Sequence, residues 1–305
     1  MSQPVLTVRD LVIEFDTPKG RRRVVDHVGF EVRPGEVLGI LGESGSGKTM
    51  TTLSVLGLVA GLPGVMGGQI TFDGGNGPIQ LLKGLQSVIK SGQPPRKNSR
   101  RWQRMVHRRM KPLWGHKMTA VFQNPRQSLD PLMTVGDQVA EAVSVSASGL
   151  SKEERRLRAL SWLERVQMPD PQRVYRAYPH ELSGGMCQRA MIAVAMACTP
   201  LLLVADEPTT GLDATVRAEI VELFKDLLAD RQGSMLYISH DIREVLYLAD
   251  RVIVMKSGQV VERASTDDLR HHRGTRHPYT ASLLAAADLG ERPAASATSA
   301  PAEVV

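Results

Sequence analysis

The sequence carries little sulfur: only two cysteines, Cys187 and Cys198, in 305 residues. Eleven residues apart in what reads as one helix, they lie about 16 Å from each other, too far for a disulfide. They are also too few to hold zinc or an iron–sulfur cluster, and are expected to be buried, inert thiols. The amino-terminal stretch MSQPVLTVRDLVIEF lacks the basic start and long apolar centre of a signal peptide. The uncharged stretch Ala190–Ala205 is interrupted by Pro200 and falls short of the roughly 20 residues a bilayer requires. It reads as a helix end followed by a buried strand, so the chain is expected to remain on the cytosolic side. Acidic residues are missing between Asp73 and Asp130, where twelve lysines and arginines fall; the remainder carries 26 basic and 32 acidic residues. Positive charge confined to one stretch is not the pattern of a general nucleic-acid binder. No internal repeat is visible.

What is present is an ordinary globular composition, 42% apolar, in a chain long enough for a substantial core. Residues 5–15 and 24–32 alternate like strands, and Glu36–Leu41 is a short apolar strand. Lys48–Leu58 has helical composition, Gly61–Gly68 reads as a loop, and Gln69–Phe72 and Met118–Phe122 read as strands. Helical patterns fill Val135–Met168, broken at Gly149, and resume at Ser183. The apolar runs Leu201–Ala205, Met235–Ser239 and Arg251–Met255, separated by helical stretches, give the βαβ rhythm of a parallel sheet. The stretch 289–305, rich in Ala, Ser and Pro, is expected to be disordered.

Residues 42–49, GESGSGKT, fit the phosphate-loop pattern G-x-x-x-x-G-K-S/T between a strand and a helix. Gly42, Gly45 and Gly47 let successive amides turn inward around a phosphate, and the helix start points its positive end at the same anion. The candidate cradle is Gly42, Glu43, Ser44, Gly45, Ser46, Gly47, Lys48, Thr49 and Met50. Lys48 is suited to neutralise the β- and γ-phosphates, and the Thr49 hydroxyl to ligate Mg²⁺. Leu202–Glu207 reads LLVADE, an apolar strand ending in two carboxylates at the sheet edge where ligands bind. Asp206 is suited to hold Mg²⁺ through water and Glu207 to act as general base. His240, at the next strand end, is placed to reach a γ-phosphate.

Residues 182–186, LSGGM, lie 25 residues before Glu207 and resemble the ABC signature LSGGQ. With the phosphate loop, the strand end, Gln123 in AVFQNP, the TGLD segment at 210–213 and His240, they identify the chain as similar to ABC ATPases. That resemblance implies an α/β P-loop NTPase fold: a RecA-like core, an antiparallel β subdomain and a helical signature subdomain. It implies ATP as ligand with Mg²⁺, Phe15 stacked on adenine, and Gln123 touching Mg²⁺ and water while sensing a membrane partner. It further implies Asp213 communicating across a dimer, and Ser183, Gly184 and Gly185 of one subunit receiving the γ-phosphate bound by another. The segments HELSGGMCQR, DEPTTGLDATV and RHPYTASLL resemble the oligopeptide, dipeptide and nickel importers. Cys187 replaces a more usual Arg or Gln, 74–116 is longer than the family norm, and the cysteine-rich carboxyl-terminal cluster of some members is absent. No iron–sulfur cluster is therefore expected.

The resemblance implies an ATPase domain over 1–265, a helical subdomain near 124–198, a basic insertion near 74–116, and an HPYT extension over 266–288. The expected function is an importer subunit on the cytoplasmic face of the cell membrane, driving uptake of a peptide-like, nickel or metal-chelate solute. Its expected partners are two integral-membrane permease subunits, a second ATPase of different sequence and, indirectly, an extracytoplasmic solute-binding protein, with no nucleic acid. The alternative is a soluble ABC ATPase in an enzyme-assembly complex of the phosphonate-degradation type. A chromosome-organising or DNA-repair ATPase is disfavoured because only 136 residues lie between Thr49 and Met186, without sustained heptads. Arg96–Lys111 holds eight basic residues in sixteen, with Trp102, Met105 and Val106 on a candidate helical face. It reads either as a solvated, mobile insertion or as an amphipathic element touching anionic lipid or an acidic permease surface.

Overall fold

The computed structural model describes residues 3–59, 63–90, 96–147, 149–229, 233–271, 273–274 and 277–288. The tail 289–305 and Arg276 of the HPYT segment lie outside them. Strands β1 (Leu6–Thr17), β2 (Gly20–Val32), β4 (Pro63–Asp73) and β5 (Pro78–Gln80) form an antiparallel sheet in the order β2-β1-β4-β5. Strand β3 (Val37–Leu41) instead joins the main sheet and leads into helix α1 (Lys48–Val55). A small ribbon, β6 (Ile89–Lys90) with β7 (Arg96–Lys97), precedes helix α2 (Ser99–Met110).

After β8 (Met118–Val121) comes a run of helices: α3 (Pro125–Ser128), α4 (Val135–Ser146), α5 (Lys152–Arg165), α6 (Pro171–Arg176) and α7 (Gly184–Ala197). The chain then alternates β9 (Leu202–Asp206), α8 (Ala214–Ala229), β10 (Ser234–Ser239), α9 (Ile242–Leu248) and β11 (Arg251–Lys256). It ends with β12 (Gln259–Ser265), α10 (Thr266–Arg270) and α11 (Pro278–Asp288). The main sheet has the order β12-β11-β3-β10-β9-β8, parallel except for β12.

Successive residues of the central strands feed two different cores, which explains why these strands read as unbroken apolar runs. Leu203, Ala205, Met235, Tyr237, Val37 and Leu41 join the core that contains α4, α5, α7 and α8. Leu202, Val204, Leu236, Ile238, Leu38 and Ile40 join the core shared with the antiparallel sheet and α2. A parallel sheet buried on both faces leaves its strand ends as the place for polar chemistry.

Four expectations change. Helix α1 stops at Val55, not Leu58, because Gly57 takes φ +70 and ends the turn. The expected loop at 61–68 is, from Pro63, part of β4 paired to β1, while 61–62 lie outside the described residues. Glycines hide this strand from a sequence reading: a Cβ on Gly68 would come within 2.6 Å of the β1 backbone. The uncharged stretch 49–72, longer than Ala190–Ala205, contributes to α1 and to β4, with 60–62 outside the described residues, and no described helix is long and apolar enough to cross a membrane.

The basic stretch is not a loose insertion where it is described. Helix α2 is capped by Asn98, buries Trp102, Val106 and Met110, and leaves Arg100, Arg101, Arg104 and Arg108 in solvent. Met110 and Val106 pack so closely on Gly57 that a Cβ there would lie 2.9 Å from each. Trp114 Nε1 donates to Leu56 O at 3.0 Å, and Arg109 donates to Leu81 O at 3.2 Å.

Candidate functional site: the phosphate loop and the acidic strand end

The loop between β3 and α1 turns where side chains are not tolerated. A Cβ on Gly42 would meet Met255 O at 2.3 Å, and one on Gly47, at φ +99, would meet Val24 O at 2.5 Å. Gly47 also brings no side-chain cap to α1, so the first-turn amides stay available to an anion. Beside the loop lies a hollow of about 420 Å³ whose walls include Val24, Glu43, Ser44, Gly45, Ser46 and Tyr279. The Ser46 hydroxyl is buried toward Gly42, with no hydrogen-bond partner among the described residues.

Lys48, only 3% exposed, donates to Gly42 O at 2.6 Å and Glu43 O at 3.0 Å and lies 3.5 Å from Glu207 Oε1. Burial pulls its pKa below the usual lysine value, and Glu207 works against that pull. Thr49 Oγ1 donates to Asp206 Oδ1 at 3.3 Å. Asp206 closes strand β9 almost fully buried, and burial pushes its carboxyl up to about 6, with the Glu207 charge adding and the Thr49 bond opposing. Glu207 itself sits at φ +47, a strained setting for a non-glycine residue that clusters at working sites. Its carboxylate takes a hydrogen bond from Thr210 Oγ1 at 3.1 Å and lies 3.3 Å from His240 Nδ1.

Lys48, Thr49, Asp206, Glu207 and His240 thus meet at the carboxyl ends of three adjacent parallel strands, as expected from the sequence. The remaining candidates lie on other elements. Phe15 is half-buried on β1 opposite Arg22 and Pro63. Gln123 is exposed, two residues beyond the Val121–Ala205 pair that ends the pairing of β8 with β9. Ser183 caps α7 by accepting the Met186 N–H at 3.2 Å, and Ser183 and Gly184 are exposed. Asp213 accepts the Thr215 and Val216 amides at 3.1 and 3.0 Å at the start of α8. Cys187 and Cys198 are free and buried.

A cluster around Glu244 escaped the sequence reading. This buried carboxylate receives hydroxyls from Thr209, Tyr237 and Ser239 at 2.8 to 2.9 Å, with Arg217 Nε at 3.7 Å. Thr209 is two residues after Glu207 and Ser239 one before His240, so Glu244 ties together the two segments that carry them. The available signal was Tyr237 and Ser239, polar positions inside an apolar strand.

The family described as ABC transporter matches residues 25–210. The dipeptide transport ATP-binding protein DppD of Escherichia coli (strain K12) is 39% identical over 282 residues, covering 92% of this chain and 78% of that protein. The probable peptide ABC transporter ATP-binding protein y4tR of Sinorhizobium fredii is 42% identical over 282 residues, covering 92% and 76%. Among solved structures, the dimeric bacterial ABC transporter cassette MJ0796 superposes with a TM-score of 0.66 at 25% identity, covering 86% of this chain and 98% of that one. The chain belongs to the ABC transporter family, as an ATP-binding and ATP-hydrolysing subunit.

Proposed function

We propose that this subunit powers a peptide importer, using the cluster of Lys48, Thr49, Asp206, Glu207 and His240 to hydrolyse ATP. The observation that carries the reading is Lys48 Nζ 3.5 Å from Glu207 Oε1 with His240 on the other carboxylate oxygen, a base and its companions held at the mouth of a phosphate loop. The loop amides and Lys48 grip the β- and γ-phosphates, and Lys48 then pairs with phosphate instead of Glu207. Glu207, relieved of that partner, accepts the proton of the attacking water, and His240 donates an N–H toward the γ-phosphate. Phe15 supplies the adenine platform, Gln123 positions the water and responds to the permease, and Asp213 faces the second ATPase.

Thr49 and Asp206 offer paired oxygen donors 3.3 Å apart, which fits Mg²⁺, a cation that keeps waters and substrate phosphates as its other ligands. Gln123 would complete the protein's share. When bound, the ion neutralises charge developing on the phosphate oxygens.

The exposure of Ser183 and Gly184 is compatible with each subunit supplying half of two sites, with a second ATPase of different sequence supplying the rest. The complex includes two permease subunits and receives its solute from an extracytoplasmic binding protein, with this chain peripheral on the cytoplasmic face. The similarity to DppD and y4tR, named for dipeptide and peptide transport, supports a peptide-like solute. The test is Glu207→Gln in the complex purified with its membrane subunits. ATP binding should persist while turnover falls by about 10²- to 10⁴-fold. A variant that keeps most of its ATPase rate overturns the assignment of Glu207, and a native complex that contains this chain but no membrane-spanning subunit overturns the transport reading.

A further inference from the structure

The HPYT segment stood out in the sequence without a task. In the structure, Pro278 opens helix α11, and Tyr279 is buried to 7% exposure in the core that holds the signature helix. The Tyr279 amide donates to His277 Nδ1 at 3.1 Å, which fixes the start of the helix. Lys256 Nζ lies 4.7 Å from the centre of the Tyr279 ring, a favourable cation–π distance. The tyrosine hydroxyl accepts the Glu43 N–H at 3.0 Å, across 236 residues of sequence.

The peptide unit between Gly42 and Glu43 is therefore held at both ends. Its carbonyl, Gly42 O, takes the Lys48 ammonium at 2.6 Å, and its N–H points to Tyr279. The unit lies outside any helix or strand and begins at a glycine, so without outside partners it is free to rotate. Rotation would remove the nearer of the two carbonyls that hold Lys48 and turn the following amides away from one another. We infer that Tyr279 is a positioning residue for the phosphate loop: its hydroxyl holds the Gly42–Glu43 peptide so that the loop meets the nucleotide already in shape. The carboxyl-terminal segment thereby sets nucleotide affinity from 236 residues away.

Tyr279→Phe removes the hydroxyl and keeps the ring under Lys256. With the purified full chain and Mg-ATP, the dissociation constant should rise about three- to tenfold, the worth of one hydrogen bond between neutral groups. In the complex with its partner subunits, the maximal rate at saturating ATP should stay within about twofold, because bound phosphate holds the loop once it is there. In Glu43→Pro, which removes the donating N–H, adding Tyr279→Phe should have little further effect on affinity. Amide exchange over residues 42–47 should be faster in Tyr279→Phe than in the parent, a readout that does not need the proline variant to fold. An unchanged dissociation constant in folded Tyr279→Phe, even with a lowered melting temperature, overturns the inference. So do fully additive losses in the double variant, or unchanged exchange at the loop.

Discussion

Asp206 shows what a working carboxylate costs the empty protein. It ends a buried strand, and its carboxyl is raised from 3.8 to about 6 because burial disfavours the charged form more than the Thr49 hydroxyl favours it. A group whose pKa is raised by folding stabilises the protein while protonated, so this contribution is complete below about pH 4 and is lost as pH rises through about 6. Such a shift corresponds to roughly 3 kcal/mol at neutral pH. Asp206→Asn should therefore melt higher than the parent at pH 7.5 in nucleotide-free calorimetry, with the gap closing toward pH 4, and should lose ATPase activity. A variant that melts no higher at pH 7.5 would show that other groups already compensate the buried charge. The candidate cluster is legible in the sequence where its residues are local: glycines, Lys48 and Thr49 in one loop, two carboxylates at one strand end. Tyr279 and Glu244 were not, because each acts through partners distant in sequence or hidden in an apolar stretch.

Among the elements, helix α2 gives the sharpest contrast between sequence and structure. Its charge suggests a solvated insertion, yet three apolar residues spaced by four, Trp102, Val106 and Met110, are buried along one stripe, Val106 and Met110 against Gly57 just after α1. Half the residues of this region are basic, and that masks a stripe only three side chains wide. Trp102→Ala should destabilise the fold by about 3–5 kcal/mol, measured by denaturant unfolding. Arg104→Glu, on the exposed side, should stay within about 0.5 kcal/mol. Equal, small effects at both positions would return α2 to a solvated appendage. Strand β4 was misread for a related reason: glycines that permit close backbone approach also erase the alternation by which strands are recognised.

For the molecule as a whole, the parallel sheet was legible because both of its faces are buried, so β3, β9, β10 and β11 appear as continuous apolar runs. The antiparallel subdomain's irregular register, with shifts between Val8 and Leu11 and between Leu11 and Ile13, was legible only in outline. The same sheet brings the loop after β3 beside the carboxylates after β9, while the exposed Ser183–Gly184 tip looks outward. The proposed function rests on the loop gripping a triphosphate with Lys48. The most direct measurement is calorimetric titration of Mg-ATP into the parent chain and into Lys48→Ala, both first shown to be folded by thermal melting. The account predicts one nucleotide per parent chain and binding weakened by about 100-fold or more in the variant, the scale of a buried charge-assisted contact. Equal affinity in the two proteins would contradict it.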